Sequence, residues 1–492
     1  MKKEFQKILQ HPWLLGCFFL SVVAGMYSVS SFFPNSDTYF LISTGEYIIT
    51  NHTFPEINPF VMHDGYSIII QQWLFDVLIY GVYQLAGWFG VYIYSLIISL
   101  INALFAYRLF SFYTNNVSAK LIATTIFVSF MSKWFVARPM SISLFLLIAV
   151  VIVIKKYQQN HQKLILCWLP ILSLLLVNIH SSMWPMLFII ILPFVFPDDF
   201  PTTCNKSEII NFLQEWFHKH KHILLVLLPT ILVGLINPYG VRGALYLLLS
   251  YNSASEGNII SEMGSADLIS DVGLFIVFTI VCLYWYVSTK RNNIEMSLVY
   301  MTLGSIVMST LHIRNAWILT FSLIPITTIM LDKLMILKNK SVKIVKSVSV
   351  VCLSFLLSLG VIIAQGYNLK LKDSWTTPIA ATSYLNQYDK DDLIVFNDFD
   401  NGPYLEFCGY KTFIDARPEL FQKKINKKEN LYTEYVKTIK QTINYGELID
   451  HYQFTHIITL DTTGMSVYMQ GNTQYKKVVE GNGYVLYEKV TN

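Results

Sequence analysis

An α-helical polytopic membrane protein with about eleven spanning helices, followed by a small α/β domain, is the fold class that three features of the chain predict. Hydrophobic residues make up 53% of the chain and charged ones only 14%, with a mean hydropathy of +0.45, whereas an ordinary soluble domain is about a quarter charged. Apolar stretches of about 17 to 24 residues recur from Leu14 to Gly366, the length a helix needs to cross about 30 Å of hydrocarbon. After Asn368, charge returns together with Asn, Asp and Gly. Residues 1–366 therefore read as a membrane body and 367–492 as one globular domain.

Lys2, Lys3 and Lys7 precede the first span, 14–33, and place the N-terminus in the cytoplasm by the positive-inside rule. That span lacks a small-residue cleavage site and reads as a retained anchor. Residues 34–87 form a first outer loop, and the span 88–110 ends near Arg108. Spans 119–136 and 141–156 carry the chain outward to Arg138 and back to Lys155 and Lys156. Spans 164–179 and 183–197 flank His180 and lead to a cytoplasmic segment with Lys206, Lys219 and Lys221. The alternation continues through 223–239, 272–288, 295–311, 316–336 and 348–365, with Lys290, Arg291, Lys338 and Lys340 inside. The C-terminal domain then lies on the extracytoplasmic side of a plasma membrane. Residues 66–86 would make a further crossing, but counting it reverses every later loop. The segment reads as a juxtamembrane or re-entrant helix with Gln71, Gln72, Trp73 and Asp76 at the outer interface.

Within the C-terminal domain, Leu393–Phe396 is a short apolar strand, Gly402–Phe407 opens a helix, and Thr412–Asp415 is a second strand. A helical stretch at 428–450 leads to the strand Thr455–Leu460, and Ser466–Gln470 with Tyr484–Val490 suggests a closing antiparallel pair. Alternation of this kind favours a mainly parallel sheet. Its strand ends would bring Asn397-Asp398 beside Asp415-Ala416-Arg417, where such sheets bind a cation, an acceptor sugar or a peptide, although both runs are also ordinary turns. The six cysteines are scattered, with Cys408 alone in this domain, so no disulfide framework is implied. A net charge of +4 that is sorted by topology makes no basic patch, and nucleic acid is not an expected partner. No Gly-rich phosphate loop, metal-spaced Cys/His cluster or nucleophile elbow occurs.

On this topology the polar groups unusual for a membrane protein collect outside: Asp37, Gln72, Asp76, Arg138, Asn178, His180, Glu262 and Arg314 among them. Charges at a membrane boundary are costly unless they pair or serve a site, so an outward polar cavity accounts for them, as does simple loop polarity. Asp37 opens an amphipathic helix that breaks at Pro55 and Pro59. Its carboxylate suits a general base on an acceptor hydroxyl or a ligand to a divalent cation that binds a lipid phosphate; Ser36 or Asp37 equally suits a helix N-cap. Arg138, His180 and Arg314 suit an anionic ligand, because guanidinium groups grip phosphate with paired hydrogen bonds, while Arg138 can also snorkel to headgroups. Glu262 sits in the loop 240–271, too long for a mere connector.

The run Asp37-Thr38-Tyr39 with Leu41, Gly45 and Ile48, then Pro55, Asn58, Pro59 and Phe60, then Gln72-Trp73-Leu74, resembles the first outer loop of bacterial GT-C-like membrane glycosyltransferases related to the protein O-mannosyltransferase class. Arg138-Pro139 with Ser141, Asn178-Ile179-His180, Asn237-Pro238-Tyr239-Gly240, Ser261-Glu262 and Arg314-Asn315 follow in the same order, and residues 395–421 resemble the ectodomain of such proteins. The resemblance implies a GT-C-like enzyme that takes a sugar from a polyprenyl-phosphate donor and passes it to an extracytoplasmic glycan, lipid or protein. Asp37 would be catalytic, with Arg138, His180, Arg314, Glu262, Gln72 and Asn178 on the substrates. Two positions depart from the pattern: Ser36 stands where a paired acid is frequent, and Met140 where a Glu is common. Two other functions stay open. One is a lipid-linked glycan transporter, against which no inverted repeat or matching pair of broken spans appears; the other is a non-catalytic envelope protein with a binding ectodomain.

Overall fold

The computed structural model describes residues 34–198, 205–250, 264–267, 269–289, 294–337, 377–440, 444–481 and 483–490. The expected spans 14–33 and 348–365, and Glu262, lie outside them. The described residues divide into two compact units: those of Tyr92–Gly240 and Glu262–Tyr367 form one, and those of Phe32–Val91, Val241–Ser261 and Asn368–Asn492 the other.

The first described helix, Ser36–Asn51 (α1), is followed by Trp73–Phe110 (α2). The expected helix over 66–86 starts only at Trp73, and the helical path breaks at Ala86 and Gly87, where Gly87 adopts φ +57°. Two helical pieces thus meet end to end, which is why sequence patterning divides here between one crossing and two.

In the helical unit, Arg138 is extended (φ −132°, ψ 154°), as a residue before proline must be, and Pro139–Asn160 (α3) starts with proline in its first turn. Trp168–Ile179 (α4) ends where His180 leaves helical geometry. Among the described residues four helices are long and apolar enough to cross a bilayer: α2, α3, Asp271–Thr289 and Ile313–Leu334. Val117–Met131, Lys163–Ile179, Ser181–Phe194 and Met296–Leu311 are apolar but shorter. The expected span 223–239 falls partly on a helix, Lys206–Leu232, whose first half is polar and which carries Pro229 inside. These helices make the chain a membrane protein. Two buried polar groups of this unit illustrate its pairing: Lys155 reaches Glu295 at 2.5 Å, and Trp184 donates to Ser173 Oγ at 2.7 Å.

The other unit contains a four-stranded sheet: Val395–Phe396 (β1), His456–Leu460 (β2), Tyr475–Gly481 (β3) and Tyr484–Lys489 (β4), in the order β1-β2-β4-β3. Only β1 and β2 are parallel; β4 runs antiparallel to both β2 and β3, which corrects the mainly parallel sheet expected from sequence. Gly464–Gln470 is a helix and not a strand, because Thr463 caps it by accepting from Ser466 N, and β4 pairs with β3 instead. The stretch 428–450 splits into Leu431–Ile439 and Tyr445–Tyr452. Thr412–Asp415 does not join the sheet. Its Thr412 pairs with the first loop, through Met62 N to Thr412 O (3.0 Å) and Thr412 N to Phe60 O (2.9 Å). Tyr66 donates to Glu429 at 2.6 Å and His63 Nε2 meets Phe413 O at 2.7 Å. Residues from the first loop and from the C-terminal segment thus share one set of backbone bonds and one core.

Candidate functional site

Three segments of that unit converge on α1. Asn35 caps the helix by accepting from Asp37 N at 3.1 Å, so neither Ser36 nor Asp37 is the cap. Asp37 stands in the first turn, where a carboxylate is favoured by the helix dipole. Two residues later Tyr39, fully buried, sets its ring edge-on to Tyr404 (5.2 Å) and beside Phe407 (5.3 Å) of the helix Gly402–Phe407 (α5). Glycine is required at two contacts. A Cβ on Gly45 would lie 2.1 Å from the Asp76 carbonyl oxygen, and one on Gly402 would lie 2.2 Å from that of Ile414.

The run Asn397 to Gly402 connects β1 to α5. Asn397 donates to Ile414 O (2.7 Å) and accepts from Phe413 N (2.8 Å), which ties the two acidic loops together through a side chain, although their flanking segments do not pair as strands. Asp398 turns inward and accepts from Thr459 Oγ1 and Leu460 N, and burial pushes its carboxyl up to about 6. Asp400 is reached by solvent but closely surrounded by protein. That crowding, and then the negative charge of Asp37, push its carboxyl up to about 6. The next residue, Asn401, is fully buried, with neither amide atom hydrogen-bonded.

Beside this pair lies a buried ionic cluster. Arg417 donates through Nε and Nη2 to Asp415 (3.0 and 2.6 Å) and through Nη2 to both oxygens of Glu406 on α5 (2.7 and 2.9 Å). Its guanidinium lies 4.5 Å from the centre of the Phe40 ring and 5.9 Å from that of Phe60. Burial holds Glu406 well above the usual carboxylate range against the pull of Arg417. Glu419, bonded by Tyr246 Oη at 2.7 Å, is also raised by burial. Asp76, completely buried on α2, has Arg417 as its charged neighbour, yet neither of its oxygens is hydrogen-bonded. Gln72, one turn earlier, is buried with Oε1 unbonded. Both residues are buried inside the unit.

The remaining expected residues belong to the helical unit. His180 Nδ1 meets Ser143 Oγ at 2.9 Å, which joins the end of α4 to the first turns of α3, just beyond Arg138. Arg314, exposed in the turn Ile313–Leu319, is the charged neighbour of His180. Asn178 donates to Leu174 O and Ile236 O at 2.8 and 2.9 Å. Arg138, Asn178, His180 and Arg314 therefore gather at one end of these helices, while Asp37 and Gln72 belong to the other unit. Sequence reasoning missed Asp400 and Glu406. The signal available was a pair of acids on either side of Asn401-Gly402, where a helix starts. Among the described residues no group of three or more His, Cys, Asp or Glu side chains is placed to hold a metal ion.

Two solved structures share this architecture. The Archaeoglobus fulgidus oligosaccharyltransferase tethered with an acceptor peptide containing the NVT sequon matches at a TM-score of 0.53 and 12% identity, over 96% of this chain and 74% of that one. The apo form of the same enzyme matches at 0.50 and 12%, over 90% and 69%. The chain has a GT-C-like fold. No family model and no curated protein matches the sequence. At 12% identity the likeness concerns the fold, so the chemistry has to be argued from the residues.

Proposed function

We propose that the protein is a membrane glycosyltransferase, related to the bacterial branch near the protein O-mannosyltransferases, that moves a sugar from a polyprenyl-phosphate donor to an extracytoplasmic glycan, lipid or protein. The observation that carries this reading is Asp37: an acid in the first turn of α1, not used as a cap, with a second acid, Asp400, close enough to feel its charge, in a chain of GT-C-like fold. Asp37 takes the proton of the acceptor hydroxyl as its oxygen attacks the anomeric carbon. The bond from that carbon to the donor phosphate breaks, and the electron pair leaves with the phosphate. Asp400 adds a second negative charge within reach of that of Asp37. Arg138, His180 and Arg314 bind the lipid phosphate, with Asn178, Gln72 and Glu262 as further substrate contacts. On this reading the chain is multi-pass in the plasma membrane, its N-terminus cytoplasmic and residues 367–492 outside. The acceptor peptide bound by the Archaeoglobus enzyme makes a protein acceptor the first to try.

The test supplies radiolabelled polyprenyl-phosphate sugars to membranes containing wild type or Asp37→Asn. Label should reach an acceptor with wild type and fall by about 10²–10⁴-fold in the variant, the usual contribution of a general base. Transfer from no donor, with both proteins folded, would favour a non-catalytic envelope protein, a reading that Ser36 in place of a paired acid also favours.

A further inference from the structure

Arg417 lies in a stretch that the sequence marks as a turn, Asp415-Ala416-Arg417, yet its side chain is buried and held by several bonds. It is 8% exposed, and its Nε and Nη2 are committed to Asp415 and Glu406 by four hydrogen bonds of 2.6–3.0 Å. Desolvating such a cluster costs free energy where burying an apolar core of the same volume would release it, so its use lies in fixing geometry. A guanidinium is suited to that, because it is planar and holds its donors in a rigid fork. The carboxylates set the plane, and Phe40 lies against it at 4.5 Å.

Both partners lead to the acids of the proposed site. Phe40 stands one turn after Asp37 on α1. Glu406 is on α5, which begins two residues after Asp400 and carries Tyr404 and Phe407 against Tyr39. Farther along α1, Gly45 admits the backbone of Asp76, whose buried carboxylate has the same guanidinium as its charged neighbour. The helix bearing Asp37 and the segment bearing Asp400 are therefore referred to one group.

We propose that Arg417 is a positioning residue for the transfer reaction: through Phe40 on one side and Glu406 on the other, it sets Asp37 against Asp400. This rests on the transferase reading above, and its test has one readout that does not. Full-length wild type, Arg417→Lys and Phe40→Leu, each in lipid nanodiscs, are compared by amide hydrogen exchange and by transfer kinetics. Lysine keeps the charge but loses the fork; leucine keeps apolar volume but loses the ring. Exchange should quicken in the first turns of α1 in both variants and stay unchanged in β2 and β4. Transfer should lose kcat, by about 10-fold or more for Arg417→Lys and less for Phe40→Leu, with the acceptor KM within about 2-fold, because a misplaced base costs turnover more than binding. Unchanged exchange in α1 in both variants overturns the proposal, whether or not transfer is found. So does equal quickening across α1 and the sheet in both variants, which would make the cluster a general core element. If wild type transfers no sugar, the transferase reading fails and Arg417's part in it is overturned too, while quickened exchange confined to α1 still identifies the structural bracket.

Discussion

The two units bury polar groups in different ways. In the helical unit the buried ionisable groups discussed above have hydrogen-bond partners: Lys155 has Glu295, and His180 has Ser143. The other unit collects Glu406, Asp415, Glu419 and Asp76 around a single guanidinium and leaves the Asp76 carboxylate and the Asn401 amide buried without hydrogen bonds. Buried polar groups that lack bonds cost about 1–3 kcal/mol each, more when charged, so a fold selected for stability alone would lose them. The first arrangement closes helix ends. The second retains an excess of acid in the unit that holds Asp37 and Asp400, as the chemistry proposed above would use.

Breaking the second arrangement should have the larger effects. Arg417→Met removes the one cation from the carboxylate cluster and should destabilise the protein by about 3–5 kcal/mol, read by chemical denaturation in detergent. A smaller loss in that experiment would mean that the carboxylates already hold enough protons to do without it. Gly45→Ala drives a methyl into the Asp76 carbonyl, 2.1 Å away, and overpacking of this kind costs about 1–3 kcal/mol. The same denaturation measurement checks it, and α2 should shift with α1.

The charge on Asp400 gives a pH signature. Its folded-state value, about 6, lies above its ordinary 3.8, so the folded protein holds a proton that the unfolded chain has released between those values. The stability it contributes is complete below about 3.8 and is lost as pH rises through about 6. Activity runs the other way, falling as pH drops through about 6 and Asp400 neutralises. Asp400→Asn should remove this limb from the pH–rate profile. The smallest effect belongs to the helical unit, where Ser143→Ala deletes one hydrogen bond to His180 and should cost about 0.5–1.5 kcal/mol by thermal melting.

How much could be read from sequence follows from the range of each interaction. The apolar helices, β2 and β4 were legible because their patterns are local, and α5 was legible because Gly402-Pro403 opens a helix. Ser466–Gln470 alternates as a strand would, but the cap from Thr463 makes it helical. The apolar run Thr412–Asp415 bonds to Phe60 and Met62, some 350 positions earlier, and no window of sequence reports such a partner. At the site, Asp37 was legible as an acid opening a helix, while the cap proved to be Asn35, one position before Ser36. Of the two acids in Asn397-Asp398-Phe399-Asp400, the pattern pointed to Asp398. Only the fold shows that Asp398 turns toward β2 while Asp400 meets the charge of Asp37.

The most direct test of Asp37 as a reacting group separates it from its neighbour in the cap. Purified Asp37→Asn and Asn35→Ala are compared with wild type for melting temperature and for sugar transfer per folded molecule. Asp37→Asn should lose no more than about 0.3–1 kcal/mol of stability but lose transfer by about 10²-fold or more, while Asn35→Ala should lose about 1 kcal/mol of stability and keep transfer. The reverse pattern, with Asp37→Asn unstable but still active, would contradict the account.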